Sequence, residues 1–161
     1  MDPNHYRFRG AWQLAAPASE VYAALEDVRS YPLWWPEIQD VRQTGEESGE
    51  VVVRALLPYR LVIELESRRQ DPAAGVLEAV MRGDLIGWSR FTVTPEGTGS
   101  RVLFEEDTRP GKALLRRLAL PLHPLFRANH TVMMWRGRRG LAAYLGRVSV
   151  AAPARRPGGP P

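Results

Sequence analysis

The chain has 161 residues, 44% of them apolar and 25% charged, which is enough to bury a single-domain core and excludes a disordered chain. It has no cysteine, which excludes a disulfide framework, a thiolate metal site and a cysteine nucleophile. The formal net charge of +4 is unevenly divided: residues 1–108 hold all 18 acidic residues and 11 arginines, whereas residues 109–161 hold 11 basic residues and no acid.

That asymmetry predicts a basic element that docks on an acidic body or meets an anionic partner, unless it is simply a solvated cationic face. No apolar run approaches the roughly 18 residues a membrane span needs. The first ten residues, "MDPNHYRFRG", lack the apolar core of a signal peptide. A soluble, cytoplasmic protein is the expectation.

Residues 5–14, "HYRFRGAWQL", alternate in the manner of a half-buried strand, with Tyr6, Phe8, Trp12 and Leu14 on one side and Arg7, Arg9 and Gln13 on the other. "AAPASEVYAALEDV" then changes period, and Ala18, Val21, Tyr22 and Leu25 share one face of a short helix that Pro17 can open. In "YPLWWPE", residues 31–37, two tryptophans stand between prolines, and Pro36 ends any helix at Trp35. Strands are predicted near 38–44, 50–57, 60–70, 75–83, 85–95 and 100–108. The separators "GEESG", "PY", "DPAAG", "GD" and "PEGTG" carry turn chemistry.

Beyond Gly111 the composition is helical. Pro121 and Pro124 predict a broken first segment, followed by a long helix from about Leu125 to Arg147 whose stripe includes Phe126, Met133, Leu141, Tyr144 and Leu145. Residues 148–161 read as a disordered Pro/Arg/Gly-rich tail, which leaves one domain over 1–147. The order implies an α+β architecture, with one curved antiparallel sheet of six to seven strands around one long helix and an apolar void between them.

Three stretches, "APASEVYAALEDVRSYPLWWPEI", "GDLIGWSRFTVTPEGTGSRVLFEE" and "MMWRGRRGLAAYL", resemble the SRPBCC superfamily with its START-like helix-grip fold, in particular the polyketide cyclase/dehydrase branch. The resemblance runs to about Leu145 and rests on pattern rather than on one diagnostic motif. It implies a deep hydrophobic cavity between sheet and C-terminal helix. It leaves function open among lipid and sterol carriers, coenzyme-Q-binding proteins, hormone receptors and aromatase/cyclases of tethered poly-β-ketones.

Among site candidates, Arg69 shares the parity of Leu61, Ile63 and Leu65. The resemblance places it where aromatic polyketide cyclases carry a cavity arginine, able to polarise a ketone or anchor a carboxylate. The bland alternative is an arginine that leaves the strand end for solvent or pairs with an acid. Tyr59 and His130 complete a tentative catalytic set as proton shuttles. The candidate ligand-binding wall is Trp35, Phe8, Trp12, Leu65, Phe91, Phe104, Asn129 and Met133, each of which could equally be core packing. Trp34 is expected to plug the sheet–helix junction while Trp35 lines the cavity mouth, because two neighbours in a tight turn should not point the same way. Arg54 and Arg90 have ambiguous parity, Arg82 reads as outward, and Trp88 reads as outer-facing or at a bend.

No metal or nucleotide cofactor is expected. The chain lacks a nucleophile elbow, a P-loop and a dinucleotide fingerprint, and His123 and His130 lie about 10 Å apart on an unbroken helix, too far for one ion. The leading reading is a module that binds a hydrophobic or aromatic small molecule such as a lipid, quinone or polyketide. The alternatives are an aromatase/cyclase or dehydratase acting on a carrier-tethered chain, and a peripheral protein of anionic membranes. The acid-free C-terminal third suits an acidic acyl carrier protein or an anionic lipid surface. No nucleic-acid motif accompanies its arginines, so nucleic acid is set aside, and the oligomeric state is left open.

Overall fold

The computed structural model describes residues 4–54 and 58–151. The predicted strand end at 55–57 and the tail from 152 onward lie outside them. Seven strands appear in chain order: β1 Tyr6–Leu14, β2 Ile38–Gln43, β3 Ser48–Val53, β4 Leu61–Asp71, β5 Val76–Gly83, β6 Leu85–Glu96 and β7 Gly99–Pro110. They form one antiparallel sheet in the order β1-β7-β6-β5-β4-β3-β2, so β1 crosses to pair with the last strand. Helices α1 (Ala18–Glu26), α2 (Tyr31–Trp34) and α3 (Ala113–Ala151) complete the fold. The helix-grip expectation holds.

Strand alternation explains which face is which. On β7, Ser100, Val102, Phe104, Glu106, Thr108 and Pro110 are buried against the helix side, while Arg101, Leu103, Glu105, Asp107 and Arg109 turn away. The outer face is ionic: Arg9, Glu105, Arg90, Glu78 and Arg68 form a chain across the sheet with contacts of 3.9, 3.6, 2.7 and 3.3 Å. Trp88 lies on this face with the Arg90 guanidinium 5.0 Å from its ring, and Arg82 pairs outward with Glu66. Much of the acid of the first 108 residues is therefore neutralised within the sheet. Beyond residue 110, among the described residues, Lys112 with Asp84 and Arg136 with Glu37 are the arginine or lysine pairs to the body. The expected docking of a basic helix on an acidic body is reduced to these two.

The helix differs from expectation in two ways. It runs unbroken over 39 residues with Pro121 and Pro124 inside it, and it extends to Ala151, so residues 148–151 are helical rather than tail. Each proline removes one donor and crowds the carbonyl four residues back, which a helix can absorb when both flanks are packed. Leu115 is buried on one side of the prolines, and Leu141 and Leu145 on the other.

The Trp34–Trp35 turn clamps α3. Trp35 leaves helical geometry (φ −109°, ψ 99°), and its indole N–H donates to the carbonyl of Met133 at 3.0 Å. Trp34 donates to Ser30 Oγ at 3.3 Å. Contrary to the expectation that the neighbours diverge, their rings stack at 5.4 Å and 19°, and both are buried. Two glycines make the approach possible. A Cβ on Gly137 would come within 2.5 Å of the Trp35 ring, and one on Gly140 would overlap the Trp34 carbonyl oxygen.

Gly140→Ala is therefore expected to destabilise the fold by about 2 kcal/mol or more, lowering Tm by about 5 °C. Gly146→Ala, at a position with nothing within 4 Å, should be neutral or gain up to about 1 kcal/mol from helix propensity. Thermal melts of the two variants check the pair, and equal losses would show that the clamp is not what makes Gly140 necessary.

Candidate functional site: two adjoining cavities

Because the clamp fixes α3, side chains on the concave sheet face and on the helix do not fill the space between them. A cavity of about 540 Å³ lies toward the α1–α2 end, bounded by Trp35, Leu65, Phe91, Phe104, Met133 and Met134. A second of about 150 Å³ lies between Tyr6, Phe8, Tyr59, Leu115, Phe126 and His130. Both are lined by Val53, Ile63, Met81, Glu106 and Met133, so these five residues form a waist between two lobes.

Glu106 is the polar member of that waist and was missed in the sequence. It faces inward between Phe104 and Thr108 on β7 and is 9% exposed. Its carboxylate Oε2 lies 3.4 Å from His130 Nε2, within ion-pair reach, but the contact is not aligned as a hydrogen bond and leaves Nε2 without a bonded partner. The His130 ring is held by stacking on Phe8 at 3.6 Å and 11°, with Phe104 at 5.9 Å on the same pattern. Strand alternation could have found Glu106, since it shares the parity of Val102 and Phe104. Its neighbour Glu105 belongs to the outer ionic chain instead.

The remaining candidates separate cleanly. Phe8, Tyr59, Asn129 and His130 line the smaller lobe; Trp35, Leu65, Phe91 and Phe104 line the larger; Met133 lines both. Trp34 lines neither, which agrees with the expected plug, while Trp35 is a wall. Trp12 also lines neither lobe. It packs behind them, edge-on to Trp35 at 6.0 Å and tilted against Phe91 at 5.9 Å. His123 stacks on Tyr6 at 4.9 Å.

Arg69 departs from its predicted orientation. The β4–β5 register shifts between Ser67 and Arg69, so Arg69 stands opposite Glu78 rather than continuing the inward row. Its side chain is 52% exposed and donates to Asp71 at 2.8 Å, on the rim of the larger lobe. That hydrogen bond, with the Ala74 N–H, holds the Asp71 carboxyl below its ordinary range.

Among the described residues, no three His, Cys, Asp or Glu side chains gather as a metal site, and no helix is long and apolar enough to cross a membrane.

A family model described as polyketide cyclase/dehydrase and lipid transport matches residues 6–145. The chain belongs to this family. Solved structures share its fold at low identity. Protein TTHA0849 from Thermus thermophilus is 18% identical with a TM-score of 0.74, covering 89% of this chain and 99% of its own. The Zhui aromatase/cyclase from Streptomyces sp. R1128 is 14% identical with a TM-score of 0.73, covering 90% and 96%. A START superfamily protein from Mycobacterium smegmatis is 14% identical with a TM-score of 0.68, covering 88% and 98%. No curated protein sequence matches the chain. A polyketide cyclase/dehydrase and lipid transport family member is thus seen with a divided cavity and a buried carboxylate at the division.

Tyr59 gives that cavity a protonated hydroxyl. Burial, and to a lesser degree Tyr6, pushes the phenol up to about 12. Because the folded value lies above the ordinary one, the stabilisation is complete below pH 10 and is lost as pH rises through about 12. In a difference titration of phenolate absorbance between the parent chain and Tyr59→Phe, the missing transition should therefore fall near 12; one near the ordinary tyrosine value would show that Tyr59 is solvated.

Proposed function

We propose that the protein binds an elongated, mostly apolar small molecule whose single polar group sits at mid-length, at the waist between the lobes. The observation that carries this reading is the Glu106–His130 pair at the junction of the 540 and 150 Å³ cavities. Pockets for such ligands generally measure ~300–1,000 Å³ and combine an apolar wall with a few placed polar groups. Val53, Ile63, Met81 and Met133 supply the apolar waist, and the thioethers of the two methionines adapt to the ligand's contour. A hydroxyl or enol at the waist would donate to Glu106 and accept from the ring N–H of His130, or reach both through one bridging group.

Native mass spectrometry of the purified chain, with a thermal-shift screen of long-chain fatty acids, quinones and polyketides, tests the reading. Ligands with an internal hydroxyl or enol group, able to donate to Glu106, should raise Tm. Glu106→Gln should weaken them about 10- to 100-fold, the usual range for a hydrogen bond to a buried charge. Met81→Trp should fill the waist and exclude long ligands, while shorter ones still bind in the larger lobe. Equal binding by all variants would place the ligand elsewhere.

One observation favours a second reading as a cyclase or dehydratase of a carrier-tethered poly-β-ketone: the waist carboxylate lies 3.4 Å from an imidazole of the smaller lobe, whose wall also includes the protonated Tyr59. Here Glu106 would take a proton from an α-carbon, that carbon would bond to a second carbonyl carbon of the same chain as its C=O π bond breaks, and Tyr59 would give a proton to that oxygen and regain one from Glu106 through His130. The geometry of the pocket would supply the intramolecular approach. Arg69, at the rim, would meet the tethered end rather than polarise a buried ketone. Reconstituted product profiles separate the readings. Under the second, His130→Ala retains binding and loses the cyclised product; under the first, the profile is the same with and without the protein.

A further inference from the structure

We propose that the solvent face of α3 docks on an anionic membrane surface. This rests on the outside of the helix and is independent of what the cavities hold. Leu125, Ala128, Val132, Trp135, Ala142 and Val150 recur at spacings of a helix with 3.6 residues per turn and form one outward strip. Leu125, Trp135 and Val150 are 44%, 51% and 88% exposed, and Ala128 and Ala142 are exposed as well. The strip is about 37 Å long at 1.5 Å per residue. It begins after both helix prolines.

Arginines frame this strip. By helical pitch Arg138 and Arg147 flank it on opposite sides, and Arg139 folds over the Trp135 ring at 4.7 Å. All three are exposed, and among the described residues none of them pairs with an acid. No acidic residue follows Asp107 anywhere in the chain. A second copy of the chain seated helix to helix would set these arginines against one another with no carboxylate between them, so self-association on this face is opposed by charge. A long row of mostly apolar side chains, with an exposed tryptophan, Arg139 within it and cationic flanks, matches instead the acyl–headgroup boundary of an anionic bilayer. There the indole sits at interface depth and the guanidinium groups reach phosphates.

Co-sedimentation of the full chain with phosphatidylcholine vesicles and with equimolar phosphatidylcholine/phosphatidylglycerol vesicles tests the proposal. Binding should be about tenfold or more stronger on the anionic vesicles and should fall as salt rises. Trp135→Ala should reduce it severalfold, and Arg138→Glu with Arg139→Glu should abolish it, while thermal melts remain close to the parent because all three side chains are exposed. Equal partition to both vesicle types, or anionic binding unchanged by Trp135→Ala, overturns it. So does a failure to sediment with either vesicle combined with a dimer that Trp135→Ala dissociates, which would assign the face to a second copy. Retention by an acidic carrier protein without vesicle binding overturns it in favour of a protein partner.

Discussion

The seat of α3 on the Trp34–Trp35 turn is the constraint from which the interior follows. Gly137 and Gly140 let the tryptophan backbone and ring approach the helix more closely than any side chain would allow. The Trp35–Met133 hydrogen bond then fixes the helix in register as well as in distance. Beside it, Glu37 is buried at 2% exposure with Arg136 2.9 Å away, a contact of opposite charges whose angle is poor for a hydrogen bond. Removing Arg136, itself half-exposed, would leave the Glu37 charge uncompensated inside the clamp. Held this tightly against the turn, the helix spans the concave sheet without collapsing into it. The cavities are what that span leaves unfilled.

An interior built in this way tolerates a carboxylate only for a reason. Glu106 sits among Phe8, Phe104 and Met81-lined space, where an ionised group loses most of its hydration. The imidazole lies 3.4 Å away, in a geometry that leaves its Nε2 without a hydrogen bond. A leucine at this position would pack the waist at lower cost. The aromatic stack that holds His130 beside Glu106 immobilises the imidazole without bonding to its Nε2, which leaves that atom available to a third group. These two facts together favour recognition of a polar ligand atom over a purely structural ion pair.

The fold was legible because strand parity, turn residues and the change of period after Gly111 each report local physics directly. The inward row of β7 and the outward placement of Trp88 and Arg82 follow from alternation alone. Arg69 was misplaced for the complementary reason: one extra residue at a bulge reverses parity, and Arg68-Arg69 carries no glycine or proline to announce it. The predicted break at Pro121 and Pro124 applied a local penalty that packing on both sides of the prolines overrides. The tryptophan clamp was half visible. Two buried indoles could be expected from composition and the proline frame, but their partners are glycines about a hundred residues away, whose function is to be absent side chains. Glu106 was readable in principle and lost in practice, because adjacent glutamates look alike until the sheet shows which one faces the helix.

The division of charge along the chain also takes on a physical meaning in three dimensions. Alternating arginine and carboxylate on the outer sheet face neutralise each other across β1, β7, β6, β5 and β4, so that face presents paired charges. Exposed ion pairs of this kind contribute little stability each, and their main consequence is the absence of a strong local potential. Among the described residues, the basic groups after Asp107 have no such arginine or lysine compensation beyond Lys112 with Asp84 and Arg136 with Glu37. A basic surface on one side and a neutralised one on the other gives the molecule an electrostatic direction. An anionic surface would therefore orient the protein helix-first before any apolar contact forms, and the exposed Trp135 strip lies on the side so presented.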